Sequence, residues 1–392
     1  MMNRKTSTNP DTITNRETIM SRDGGRKKLR LLVAGGGTGG HLYPALAIVE
    51  QAQADGVLED VVFTGTKTGI EARKIPETDF KIRFIWISGF RRKLTLQNLL
   101  FPGKLVWSLW QSWRIIRTFK PNVVLGTGGY VSGPVLFMAS KTRIPTLIQE
   151  QNSYPGVTTK LLAKRVNRVH ISFESSVKYF ERKDNLVMTG NPVRQSFGKT
   201  TVKDAYQHFN LDPNRRTIVI SGGSQGAATI NRSVLEILAE IIGRENCQFI
   251  WSAGNYEFDL IRKKCENYGH SIWVRPFNDN MAAAYSICDL AIARAGALTL
   301  AELAISAIPA ILIPYPFATG QHQLHNANDL AEKGGAVVIE EKNLTPELLI
   351  QNIKKIINNE ERLAGMKENI RKTANPKAAQ DIVNSLLQIA SF

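Results

Sequence analysis

The 392-residue chain has only three cysteines, and Cys247, Cys265 and Cys288 have neither the even count nor the spacing of a disulfide framework, a metal knuckle or a redox pair. They read as buried free thiols in a reducing cytoplasm. No run of about 18 apolar residues occurs, so no segment reads as a membrane span. Residues 1–28 lack the apolar core of a signal peptide and read as a disordered extension, or as a start placed too early with Met20 serving instead. Acidic residues are missing from a whole stretch. Residues 80–149 hold no Asp or Glu, against eleven Lys or Arg and four of the six tryptophans, Trp86, Trp107, Trp110 and Trp113. Within it, Leu94 to Lys120 reads as helical with a break at Pro102-Gly103. Leu105, Leu109, Trp113 and Ile116 fall on one stripe, expected to be mostly core, beside a basic edge of Arg114, Arg117 and Lys120. With Phe90-Arg91-Arg92-Lys93 and Leu99-Leu100-Phe101, the segment fits an anionic membrane surface, or else a packed helix with a solvated basic face. Nucleic acid is a rival use of the charge, but no recognition module is present.

The charge is uneven. Residues 1–193 hold 29 Lys or Arg against 14 Asp or Glu, and residues 194–392 hold 21 against 20. The first half should therefore meet something anionic. Short apolar runs alternate with helical stretches throughout. Leu29–Ala34 opens the first half, and RTIVISGGSQGAATINRSVLEIL (216–238) restarts the same strand, glycine turn and helix. This is the rhythm of parallel sheets with helices on both faces. The expected architecture is α/β, two Rossmann-like domains facing each other across a cleft. Their joint is expected near Gly190-Asn191-Pro192, giving a first domain over 29–190 and a second over 191–374. A C-terminal helix in 375–392 is expected to cross back onto the first domain.

Five glycines in six positions, Gly35 to Gly40 around Thr38, lie between the first strand and a helix, with His41 in that helix's first turn. Glycines let the main chain approach a ligand, and a helix start attracts anions. The helix dipole there favours a neutral imidazole able to accept a proton. A nicotinamide site would also need a carboxylate closing the second strand, but VVFTGTKTG offers none before Glu71, so dinucleotide binding is set aside. A second glycine turn, GTGGYVSGP (126–134), adds Tyr130. Glu150, in QEQN, ends a strand as a base or as a hydrogen-bond hub. Ser221–Gly226 is a phosphate-cradle candidate without the Lys-Ser/Thr pair of a P-loop, so NTP hydrolysis is not expected. RAGALT (294–299) enters another helix, with Glu302 expected in its first turn, where a carboxylate suits a ribose diol or simply the helix dipole. His322 and His325 have ligand spacing but no third partner, so no metal is expected.

Seven motifs, GGGTGGH, GTGGYVSGP, QEQN, GNPVR, GGSQGA, RAGALTLAE and HQLHNA, together resemble the MurG family over about residues 29–390. Its members are the N-acetylglucosaminyltransferases that turn lipid I into lipid II in bacterial peptidoglycan synthesis. The resemblance implies a GT-B fold, with lipid I held by the N-terminal domain at the cytoplasmic face of the inner membrane and UDP-N-acetylglucosamine held by the C-terminal domain. It implies peripheral attachment, roles in cell shape and division, and possible membership of a cell-wall synthesis complex. No cofactor is implied, since UDP-N-acetylglucosamine is a substrate. Donor contacts map onto Thr38, Gly39, Gly40, Asn152, Arg194, Ser224, Gln225, Asn278, Ala297, Leu298, Thr299, Leu300, Ala301, Glu302, Gln323 and Asn326. Two positions depart from the pattern: Gln321, where many members have Asp, and Asn278, where an aliphatic residue often meets the uracil. For an inverting displacement the expected base is His41, with Glu150 next and Tyr130 as a positioning group. The alternatives are another UDP-sugar-dependent lipid glycosyltransferase or a nucleotide-sugar epimerase.

Overall fold

The computed structural model describes residues 28–89, 101–197, 200–223 and 226–392. Ser224, Gln225, the Phe90–Lys93 cluster, Leu94 to Leu100 and all of the N-terminal extension except Lys28 lie outside them.

Two parallel sheets carry the molecule. The first contains β1 (Leu29–Gly35), β2 (Leu58–Gly65), β3 (Lys81–Phe84), β4 (Val123–Gly128), β5 (Thr146–Glu150), β6 (Arg168–Ile171) and β7 (Leu186–Met188), in the spatial order β3-β2-β1-β4-β5-β6-β7. The second contains β8 (Arg216–Ser221), β9 (Cys247–Ser252), β10 (Ile272–Arg275), β11 (Leu290–Ala293), β12 (Ala310–Leu312) and β13 (Ala336–Val338), in the order β10-β9-β8-β11-β12-β13. Helices cover both faces, so the central strands are apolar on both sides: Leu31, Leu32, Val33 and Ala34 of β1 are all buried. The order reverses between β1 and β4 and again between β8 and β11, the switch points at which doubly wound sheets bind ligands. The glycine turns after β1 and β4 sit at the first reversal, and Ser221–Gly223 and the RAGALT segment sit at the second. The apolar character of residues 80–89 outlasts the strand there. As the sheet's edge, β3 ends at Phe84, and Ile85 keeps one bond, its N–H to Gly65 O at 2.9 Å.

The last helix, Ala378–Ile389, lies on the first sheet. Its Ile382, Val383, Leu386 and Leu387 join Leu29, Leu31, Leu42 and Leu46 in one core. His170 of β6, buried with Nε2 2.9 Å from Ser385 Oγ, pins the helix there. Where the chain passes between sheets its two crossings touch: Asn375 Nδ2 donates to Thr189 O at 2.6 Å. The three cysteines are buried and unpaired.

The tryptophan helix corrects the expected stripe. It runs Phe101–Phe119, with Pro102 and Gly103 in its first turn and not at a break. Its buried seam is Ser108, Ser112 and Ile116, turned toward the helix Gly129–Lys141. Leu105 and Trp113 are exposed and Leu109 is only half-buried. The serines can be buried because each hydroxyl bonds back along the helix, Ser108 Oγ to Leu105 O at 2.8 Å and Ser112 Oγ to Ser108 O at 2.7 Å. Small side chains admit the close approach, and the tryptophans are left outside. Among the described residues no helix is long and apolar enough to cross a membrane.

Candidate active site

The N-terminal wall begins where β1 gives way to the helix Gly39–Ala54. Thr38, extended at φ −139°, is its N-cap, and His41 is its third residue. The imidazole Nδ1 lies 3.2 Å from Gly36 O and 3.2 Å from Thr38 Oγ1. A carbonyl only accepts, so Nδ1 carries the proton and Nε2 keeps its lone pair. The ring rests on the second glycine turn. Gly128 has φ +100°, and a Cβ there would fall 2.8 Å from His41 Cδ2, so that position must be glycine. Burial pushes the imidazole below its ordinary value. Glu150, Gly36 O and Glu71 oppose that fall, and His322 across the cleft adds to it. The result is a neutral imidazole near pH 7. Tyr130, second in the helix Gly129–Lys141, lays its ring against the first loop, where a Cβ on Gly37 would lie 3.1 Å from Cε1.

Glu150 is a hydrogen-bond hub. At the buried end of β5, its Oε1 accepts from Asn152 N–H at 3.1 Å and from Asn152 Nδ2 at 3.3 Å, and its Oε2 accepts from Gly156 N–H at 3.1 Å. Three donors on the carboxylate are what a hydrogen-bond hub requires. Asn152 and Asn326 are likewise engaged by protein. The fully buried Asn326 accepts from Ser153 N–H at 3.0 Å and Ser153 Oγ at 2.8 Å, and donates to Asn152 Oδ1 at 3.3 Å and Ala295 O at 3.4 Å. Asn191 adds a further bridge, from Nδ2 to Gln151 O at 3.0 Å and Ala297 O at 3.4 Å. These amides join the two sheets' loops, and Asn326 has all four of its side-chain hydrogen-bonding positions in use.

The C-terminal wall is the start of the helix Ala297–Ile305, after β11. Leu300 N–H is bonded back to Gly296 O, so the N–H groups of Ala297, Leu298 and Thr299 precede the helical ladder and form an anion-binding end. Leu300 itself is core, and Ala297 is buried, so these two offer backbone and not side chain to a ligand. Leu298, Thr299 and Ala301 are half-buried. Glu302 is the helix's sixth residue, a turn later than expected. Burial raises its carboxyl to about 7, against the opposing pull of Arg194. The Arg194 guanidinium lies 5.2 Å from the centre of the Tyr43 ring, between the two walls. Asn278 is buried; its Oδ1 accepts from Asn280 N–H at 2.9 Å, while its Nδ2 has no partner among the described residues. Gln323 Oε1 accepts from Tyr315 N–H at 2.9 Å, fixing the loop after β12. Arg294 grips the same loop through Ile313 O at 3.1 Å and Pro314 O at 3.2 Å, and it pairs with Glu341. Thr38, Gly39 and Gly40 stand on the N-terminal wall beside His41.

Three roles come only from the structure: Asn191 as a bridge, His322 across the cleft from His41, and the wholly buried Glu71 beneath the first glycine loop. Gly65 and Gly69, shortly before Glu71 in the chain, were the available signal for the last.

The glycosyltransferase family 28 N-terminal domain matches residues 31–171, and the family's C-terminal domain matches residues 217–382. The chain is 40% identical over 372 residues to the UDP-N-acetylglucosamine--N-acetylmuramyl-(pentapeptide) pyrophosphoryl-undecaprenol N-acetylglucosamine transferase of Desulforamulus reducens, covering 92% of this chain and 99% of that protein. A crystal structure of Acinetobacter baumannii MurG superposes with a TM-score of 0.71 at 31% identity, over 91% of this chain and 98% of the other. A UDP-GlcNAc 2-epimerase from Neisseria meningitidis shares the fold alone, with a TM-score of 0.66 at 16% identity, over 91% of this chain and 99% of that one. Two switch-point clefts, a neutral histidine between them and these matches agree: the chain belongs to glycosyltransferase family 28, within its MurG branch, and has the GT-B fold.

Proposed function

We propose that this chain transfers N-acetylglucosamine from UDP-N-acetylglucosamine to the 4-hydroxyl of the muramyl sugar of lipid I, giving lipid II for peptidoglycan synthesis. The observation that carries the chemistry is His41, neutral, with Nδ1 on Gly36 O and Nε2 unprotonated. The displacement is single and inverting. Nε2 takes the proton of the acceptor hydroxyl, that oxygen attacks the anomeric carbon, and the bond from that carbon to the UDP oxygen breaks. The N–H groups of Ala297, Leu298 and Thr299, together with Arg194, take up the charge of the departing diphosphate. Glu302 receives the ribose hydroxyls. The names of its relatives support this donor and this acceptor. An epimerase has the same fold but needs no acceptor, and the tryptophan-rich face would then have no use.

That face supports attachment to an anionic membrane surface, at the cytoplasmic leaflet where lipid I is met. Trp86, Trp107, Trp110 and Trp113 are exposed, and Val106 between them is 68% exposed. Lys104 lies over Trp86 at 5.6 Å, Arg114 over Trp110 at 5.7 Å and Arg117 over Trp113 at 5.7 Å. Amphipathic rings flanked by cations suit a headgroup layer.

The test is transfer from UDP-N-acetylglucosamine to a lipid I analogue. His41→Ala should lower turnover by about two to four orders of magnitude with donor binding retained. Full turnover in that variant sinks the assignment of the base, and interconversion of free UDP-sugar without transfer sinks the function.

A further inference from the structure

Beneath the first glycine loop lies a carboxylate that the proposed mechanism does not use. Glu71 is wholly buried, and among the described residues no Lys or Arg pairs with it. A buried carboxylate without a counter-ion is costly unless hydrogen bonds hold its charge. Here three do. Oε2 accepts from Gly37 N–H at 2.8 Å, and Oε1 accepts from Thr66 N–H at 2.8 Å and Thr66 Oγ at 3.2 Å. The loop is built around it: a Cβ at Gly36 would lie 2.5 Å from Glu71 Cδ, and one at Gly65 would lie 2.3 Å from Cγ. Part of what reads as a ligand cradle is therefore filled from inside by the protein's own anion.

The Gly37 N–H and the Gly36 carbonyl belong to one peptide group. That group is planar, with its N–H and C=O pointing in opposite directions. Glu71 holds the N–H end, and His41 Nδ1 stands 3.2 Å from the carbonyl oxygen at the other. A carboxylate on the N–H draws charge toward the carbonyl oxygen and makes it a better acceptor. We propose that Glu71 is a positioning residue acting on His41 through the Gly36–Gly37 peptide, so that carboxylate, peptide and imidazole form a relay that fixes the proton on Nδ1 and leaves Nε2 free to accept. It does for His41 what the buried carboxylate does for the histidine of a Ser-His-Asp triad, with a peptide plane in between. It also leaves Gly37 N–H unavailable to a substrate phosphate.

The inference rests on His41 as the base, and its test is separable from that reading. The tautomer of His41 is read by 15N chemical shifts of the imidazole in the full chain, without reference to turnover. The wild type should show the Nδ1–H form, and finding Nε2–H overturns the relay at once, whether or not any variant folds. Glu71→Gln keeps the shape but turns a donor amide toward N–H groups. It should populate the Nε2–H form, lower kcat by about tenfold to a hundredfold, and leave KM for UDP-N-acetylglucosamine within about twofold. The groups facing the imidazole are Glu71 and Glu150, which raise its pKa, and His322, which lowers it. Losing the Glu71 charge should therefore also move the acid limb of kcat to lower pH. Ser385→Ala, which removes a buried bond on the far side of the domain, controls for stability and should leave tautomer and acid limb in place. An unchanged tautomer in Glu71→Gln, or the same change in Ser385→Ala, overturns the proposal. If His41→Ala stays active while Glu71→Gln still shifts the tautomer, the relay stands and the base assignment falls.

Discussion

Donor affinity should depend on pH through Glu302. Burial raises this carboxyl to about 7, so in the free enzyme it is about half ionised at neutral pH. Ribose hydroxyls donate to the carboxylate and have one fewer acceptor site in the neutral acid. Donor binding therefore selects the ionised form and releases about half a proton at pH 7. The sign follows from the raised value. Affinity is full well above pH 7 and falls as pH drops through it, so the Kd for UDP-N-acetylglucosamine should rise about tenfold from pH 8 to pH 6, or about 1.4 kcal/mol. This sugar-nucleotide diester has no ionisation of its own in that window, which makes it a better probe than UDP. Calorimetry in two buffers of different ionisation enthalpy measures affinity and proton release together. Glu302→Gln should bind more weakly at pH 8 and lose the pH dependence. A Kd that is flat from pH 8 to pH 6, or a slope that persists in Glu302→Gln, refutes both the ribose role and the ionisation argument.

Reversing Arg114 and Arg117 to Glu should weaken partitioning onto anionic vesicles by about tenfold or more, since each cation near such a surface contributes about 1 kcal/mol, and should leave transfer to a soluble acceptor analogue intact. Equal partitioning would return this face to ordinary solvated surface. His170 is held neutral, its pKa lowered to about 4 by burial, whereas in the unfolded chain it protonates near 6.5. Its contribution is therefore present above pH 6.5 and lost on acidification toward 4. The wild type should lose about 2–3 kcal/mol more than His170→Gln by pH 4.5 in urea titrations, and parallel pH profiles would refute this. Asn326→Ala leaves Ser153 and Asn152 without their buried partner and should cost about 1–3 kcal/mol, with a more open average shape by small-angle scattering. A change below about 0.5 kcal/mol would show the bridge to be incidental.

The sequence by itself determined the order of strands and turns. Interior strands are legible as apolar runs such as Leu29–Ala34 and residues 217–220, because a strand covered on both faces must be apolar along its length. The glycine turns, His41 and the RAGALT helix start were legible for a similar reason: close backbone approach and a helix N-terminus both have local signatures. Side-chain partnership across the fold was not legible. Periodicity placed Trp113 in the core, but the neighbouring helix comes close enough that Ser108 and Ser112 fill the seam, and bulk was forced outward. Asn152, Asn326 and Glu150 read as site residues, and the fold also ties their side chains to neighbouring loops, which no motif shows. Glu71 had no motif at all. Only the fold brings its carboxylate to one end of the Gly36–Gly37 peptide while the chain that follows brings His41 to the other. Local chemistry is carried by neighbours in sequence, whereas hydrogen-bond saturation and close packing depend on distances that exist only once the sheets have formed.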